Sequence, residues 1–167
     1  MKFPLRIVLI LLALFALAIG GGLLAGPERL WRSVGGPADQ GAVGFSDLSR
    51  SLAPNDALAC FPGACNGATD MALPLYQDAP AALLDRLDAF VLADRNVTRV
   101  DDGARPDYRR YVARTPVLRF PDTVDAEAIA GDGGTQLRLY SRSLLGHSDF
   151  GANAARLKVW AGWLRRD

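Results

Sequence analysis

The stretch YSRSLLGHSDFGAN, residues 140–153, gathers the side chains of this chain best suited to chemistry. It holds the only histidine, His147, two residues before Asp149, with Ser141 and Ser148 as candidate hydroxyl nucleophiles. A serine hydrolase needs these types, the histidine bonded to the hydroxyl and the acid orienting the imidazole. Here all of them fall in one short turn, where successive side chains diverge, and a triad is judged by geometry rather than by nearness in sequence. An exposed histidine beside a helix start is the simpler reading, so no catalytic residue is assigned. A hydrolase using His147 and Asp149 with Ser141 or Ser148 stands as the alternative.

The same corner supports a second kind of chemistry. Arg142, Asp149, Asn153 and Arg156 could form a small polar site where a strand hands over to a helix. An Arg142–Asp149 pair would only brace the turn. Left unpaired, Arg142 would offer its fork to a carboxylate or phosphate near the helix amides. Bracing is the expectation. Gly146 can take the positive φ that ends a strand, and Ser148 or Asp149 can accept bonds from the open amides of the helix start. Gly151 lets the first turn approach the sheet closely.

The elements that hold this corner are legible from periodicity. TQLRLYSRS, 135–143, alternates as a strand and follows GDGG, 131–134, a strong turn signal. DTVDAEAIA, 122–130, alternates more weakly, and YRRYVARTPVLRF, 108–120, alternates until Pro116 marks a bulge or edge. Turns this short imply an antiparallel meander, apolar on one face and carrying Arg114, Arg138, Tyr140 and Arg142 on the other. DAPAALLDRLDAFVLADRN, 78–96, places Leu83, Leu84, Leu87, Phe90 and Val91 on one helical face, with Asp78 as cap, Pro80 in the first turn, and Asp85, Arg86 and Asp88 on the wet side. Leu157, Trp160 and Leu164 define a last helix ending in Arg165 and Arg166. The expected fold is α+β: a meander of about three strands flanked by two helices that cover its apolar face.

Ahead of this domain the chain changes character. Residues 7–25 carry no charge and are just long enough for a membrane-spanning helix. A retained signal anchor and a cleaved signal peptide both fit, the second through the small residues Ala16 and Ala18. Residues 1–6 then form a short cytoplasmic terminus, 7–25 the anchor, 26–56 a linker rich in Gly, Pro, Ser and Asp, and 57–167 one exported domain. PERLWRS, 27–33, would place Trp31 and its arginines at headgroup depth. The expected location is a bacterial inner membrane, single-pass, with the C-terminal domain in the periplasm, or free in the periplasm if the signal is cleaved.

Cys60 and Cys65 are the only cysteines. The loop between them contains Pro62 and Gly63 and is tight enough for a disulfide, which an exported protein would find conditions to form. A metal would need two further ligands that one histidine does not supply, so neither metal nor cofactor is expected. From Phe45 onward the chain has 15 basic and 16 acidic residues, which gives nucleic-acid binding little electrostatic support.

The corner pattern Ser-Arg-x-x-x-Gly-x-x-Asp-x-Gly-x-Asn, at Ser141, Arg142, Gly146, Asp149, Gly151 and Asn153, resembles the signature of the domain of unknown function 1499 family. CFPGAC followed by LPLY resembles that family's opening, and RFPDTVDAEA its middle strand; the resemblance spans roughly residues 58–165. It implies a compact domain, frequently behind a membrane segment in bacteria, and no particular reaction. The expected role is a non-catalytic binding or accessory protein of the cell envelope. Its partners are the bilayer through residues 7–25, and an envelope protein or a small anionic ligand.

Overall fold

The structure, a computed structural model, describes residues 4–24 and 26–166. Part of the expected cytoplasmic terminus, the end of the expected anchor at Ala25, and Asp167 lie outside the described residues. Eleven elements follow one another: α1 (Leu5–Leu24), α2 (Pro27–Gly35), β1 (Asp56–Cys60), β2 (Met71–Ala72), β3 (Leu75–Tyr76), α3 (Pro80–Val91), β4 (Val97–Arg99), β5 (Tyr108–Arg114), β6 (Pro121–Gly131), β7 (Gly134–Ser143) and α4 (Ala152–Leu164).

The fold is α+β, and its sheet is larger than three strands. Seven strands run in the order β2-β1-β7-β6-β5-β4, with β3 added beside β7. The meander of β5, β6 and β7 forms its centre, closed at one end by the Gly131–Gly134 hairpin. β1 pairs antiparallel with β7, and β2 pairs parallel with β1, so the sheet is mixed at that edge. The added strands are two to five residues long. Segments that short show no usable period.

Alternation sets two faces. One carries Ala57 and Ala59 of β1, Val124, Ala126 and Ala128 of β6, and Leu137 and Leu139 of β7, all buried. α3 and α4 cover this face with Leu83, Leu84, Leu87, Leu157, Trp160 and Leu164. Alanines on β1 and β6 beside leucines on β7 give small-against-large packing that lets both helices sit close. Tyr111 meets Trp160 edge-on at 5.5 Å, and its hydroxyl donates to Asp88 Oδ1 at 2.8 Å. Asp88 also receives Arg99 at 2.9 Å and Arg109 at 3.0 Å, so it pins α3 to β4 and β5 rather than facing water. Asp78 does not cap α3: Ala79 is the N-cap, Pro80 occupies the first turn as expected, and Asp78 pairs with Arg86 at 2.6 Å.

The second face is polar and is covered by the N-terminal segment. The stretch expected as linker, 26–56, instead contains α2 and an extended strap that crosses β6, β7 and β5. Thr123 Oγ1 donates to the Ala38 carbonyl at 3.0 Å and accepts from the Gln40 amide at 3.2 Å. Asp39 accepts two bonds from Arg110, at 2.7 and 3.0 Å. Phe45 then closes a second small core with Leu58, Cys60 and Tyr140. Gly and Pro give this stretch no periodicity, yet single side chains along it find fixed partners on the sheet.

α2 docks on the same end of the domain. Trp31, expected at headgroup depth, packs at a tilt against Phe120 with centroids 4.3 Å apart, and its indole nitrogen donates to the Leu118 carbonyl at 2.6 Å. Glu28 accepts from Arg119 at 2.8 Å, and that hydrogen bond holds its carboxyl below the usual range against a weaker push from burial. No described residue of the apolar span Leu5–Gly22 of α1 is buried, and the span's mean hydropathy is 2.4. By length and composition it is able to cross a membrane.

Candidate functional site

The corner residues divide between the two faces of the sheet. Ser141 points to the helix side, is fully buried, and donates to Asn153 Oδ1 at 2.5 Å. Asn153, also fully buried, donates through its amide group to the Asn55 carbonyl at 2.9 Å and to Ser143 Oγ at 3.0 Å. Arg156 reaches back from α4 to Ser141 Oγ at 2.9 Å, Asn153 Oδ1 at 2.7 Å and Asp122 Oδ2 at 2.6 Å. Five side chains from two strands and a helix, Ser141, Ser143, Asp122, Asn153 and Arg156, thus close a polar knot inside an otherwise apolar layer, with each buried atom partnered as its low-dielectric surroundings require.

Asp149 sits just outside this knot. Its carboxylate accepts from the amides of Gly151 at 3.0 Å and Asn153 at 2.8 Å, the open donors at the start of α4. Ser148 Oγ accepts only the Phe150 amide, at 3.2 Å. Gly151 is the N-cap residue with φ of 82°, and Gly146 has φ of 90°, so both glycines supply left-handed backbone. His147 is exposed and makes no hydrogen bond among the described residues. The Ser141 hydroxyl is committed to Asn153, so the hydrolase set of Ser141, His147 and Asp149 is not assembled here.

Arg142 stands on the opposite face, so the expected Arg142–Asp149 pair does not form. Its guanidinium pairs with the fully buried carboxylate of Asp125 at 2.5 Å and donates to the Gly41 carbonyl of the strap at 2.6 Å. It also lies over the Tyr140 ring, 5.4 Å from the centroid. The Tyr108 hydroxyl donates to the other Asp125 oxygen. Burial pushes the Asp125 carboxyl above its usual range, and the charge of Arg142 only partly offsets this. Beside it, Arg138 pairs with Glu127 at 3.0 Å, and Tyr140 donates to Asp56 at 2.7 Å. The polar face predicted from β7 exists, but its arginines are paired with acids of β6 and with the strap, although the buried Nε of Arg138 finds no partner. Asp125 and Glu127, two acids at alternate positions of β6, were the visible signal.

Of the concave surfaces among the described residues, two bear on the corner and the covering helices. A cleft of about 360 Å³ at the corner is walled by Phe120, Leu145, Phe150, Asp122 and Asp149. A larger groove of about 910 Å³ runs along the outer side of α3 and α4, lined by Met71, Phe90, Val159 and Trp163 and rimmed by Lys158, Arg165 and Arg166. Phe90 and Trp163 stack at 4.7 Å to form its floor. Its acid, Asp70, pairs with Arg50 at 2.8 Å. Among the described residues no group of three or more His, Cys, Asp or Glu converges as a metal site would need. Cys60 and Cys65 lie at disulfide distance, their Cα atoms 6.1 Å apart.

Residues 54–164 match the model of a family described as a protein of unknown function, DUF1499. The chain belongs to this family. The DUF1499 segment takes in the whole sheet, both covering helices and the corner knot, and begins after the strap, so α2 and residues 36–50 are additions to it. No curated protein and no solved structure matches the chain.

Proposed function

We propose that this DUF1499 protein is a non-catalytic accessory domain of the cell envelope. In this reading α1 tethers it to a bacterial inner membrane, the domain faces the periplasm, and it docks an envelope protein through the groove of α3 and α4. The groove carries the proposal. It is apolar at its floor and basic at its rim, and its acid is already neutralised by Arg50. That combination suits an apolar segment bearing acidic residues. A small anion is the less favoured partner, because Arg142, the fork best placed to hold one, is already neutralised by Asp125 and bonded to the Gly41 carbonyl.

A photo-crosslinking residue at Val159, which is 59% exposed, tests this in cells. A discrete adduct that disappears with Lys158→Glu and Arg166→Glu, at unchanged melting temperature, is expected. No adduct, or one indifferent to the charge reversals, rejects the groove. Export has its own test. In an oxidising compartment Cys60 and Cys65 form a disulfide and resist alkylation until reduced. Full labelling without reductant rejects that pairing.

A further inference from the structure

We propose that one end of this domain, made of the turn 115–120, the corner loop 144–150 and α2, lies against the lipid bilayer as a built membrane-docking surface. The two ends of the sheet are chemically different. β6 runs from Pro121 to Gly131, 11 residues and so about 35 Å long. At its Gly131 end stands the hairpin with exposed Asp132. At its Pro121 end stand the two loops and α2.

The apolar side chains that the fold leaves outside concentrate at this second end. Val117 is 82% exposed, Leu118 46%, Phe150 98%, Val34 of α2 67%, and Leu52 fully exposed. Leu52 belongs here because the segment behind it is tied to the corner: the Asn55 side chain donates to the Gly146 carbonyl at 2.9 Å. Soluble surfaces scatter such residues singly, whereas a cluster marks a site of interaction.

Backbone strain falls in the same two loops. Arg119, with φ of 57°, and Phe150, with φ of 52°, are the non-glycine residues with positive φ among those described. Left-handed backbone at a bulky residue costs free energy and persists only where the surroundings enforce it. At Phe150 it accompanies an aromatic ring held almost wholly in solvent.

The occupant follows from the chain itself. α1 ends at Leu24 and α2 begins at Pro27, and the last turn of α1 touches α2, with Leu30 Cδ2 3.5 Å from where a Cβ on Gly22 would lie. Trp31, four residues into α2 and about 6 Å along its axis, grips the 115–120 turn through Phe120 and the Leu118 carbonyl. At its other end α2 meets the corner loop, because Leu144 and Leu145 pack against Gly35. The loops are therefore clamped to the element that leaves the span. Arg29 and Arg32 on α2 are exposed and lie in no ion pair among the described residues, a charge suited to anionic headgroups. Apolar tips beside exposed arginines, of which Arg32 also feels the charge of Glu28, match the headgroup–acyl boundary.

This inference rests on α1 spanning the bilayer, and the experiment separates the two. The full chain is reconstituted in vesicles of phosphatidylethanolamine and phosphatidylglycerol with a fluorescent amino acid placed in turn at Leu12, Val117, Phe150 and Asp132. Lipids spin-labelled near the headgroup or at the acyl terminus serve as quenchers. Leu12 should be quenched by the deep label, Val117 and Phe150 by the shallow label with a blue shift, and Asp132 by neither. Quenching at Leu12 without quenching at Val117 and Phe150 overturns the docking surface and leaves the anchor standing. No quenching at Leu12 overturns both.

Discussion

Ser141 and Arg142 are consecutive residues that bond to opposite sides of one sheet: Ser141 to Asn153 of α4, Arg142 to Gly41 of the N-terminal strap. One strand therefore couples the helical layer behind it to the strap in front. These two residues join the layers and do not converge on one site.

Asn153 is the centre of the helical side. Replacing it with alanine removes the acceptor of the Ser141 hydroxyl proton, the donor to Ser143 Oγ, and one bond each from Arg156 and the Asn55 carbonyl, leaving Arg156 on Ser141 and the Ser143 amide on Asn55. Asn153→Ala should cost about 3 kcal/mol of unfolding free energy, the scale of leaving buried polar groups unpaired. Urea unfolding measures it, and a loss no larger than that of an exposed substitution such as Lys158→Ala would contradict the knot.

Asp149 acts through two helix-start amides. Asp149→Ala should lower stability by about 1 kcal/mol, and Asp149→Asn, which keeps an accepting oxygen, by less. Thermal melting separates the two variants; equal melting of both with wild type would deny the capping role.

Phe45 holds the strap down. Phe45→Ala should remove about 3 kcal/mol of packing and expose residues 36–50 to limited proteolysis ahead of the sheet. Mass spectrometry of the first cuts reports the outcome. Cleavage that starts elsewhere at an unchanged rate would show the strap to be held by its polar bonds alone.

Asp101 supplies a pH signature. Burial works to raise its carboxyl, but bonds from Arg99 and from the amides of Arg110 and Gly103 prevail and bring it down from 3.8 to about 2. A carboxyl depressed in the folded state stabilises fully above its ordinary value, and that stabilisation is lost as the pH falls through the folded value. Asp101→Asn should therefore be less stable than wild type near neutrality, with the gap narrowing between about pH 4 and pH 2. A gap that stays constant across that window would assign the effect to lost geometry instead of charge.

Much of the frame was legible in the sequence. β5, β6, β7, α3 and α4 follow from periods of two and 3.6 because one face of each is apolar. The corner residues were legible by type, but their grouping was not. Strand alternation separates Ser141 from Arg142 whatever their chemistry, and a pairing of Arg142 with Asp149 required both to lie on one side. The strap was invisible for another reason. Asp39, Gln40, Gly41 and Phe45 bind partners scattered over β1, β5, β6 and β7, from 13 to 102 residues away. Such a segment leaves no repeating pattern. β6 misled similarly: Thr123, Asp125 and Glu127 look solvent-facing but are buried beneath the strap or beside their arginines.

The strap has a mechanical consequence. Tension arriving from α1 meets first the grip of α2 on the 115–120 turn, then the strap bonds of Thr123, Arg110 and Arg142, which belong to three adjacent strands, and only afterwards β1. Those bonds share the pull in shear, so β1 is spared from being unzipped away from β7. Pulling a single molecule by its two ends should show a short release of chain, matching the strap, before the domain gives way; one undivided rupture would place the tether's purchase on β1 itself.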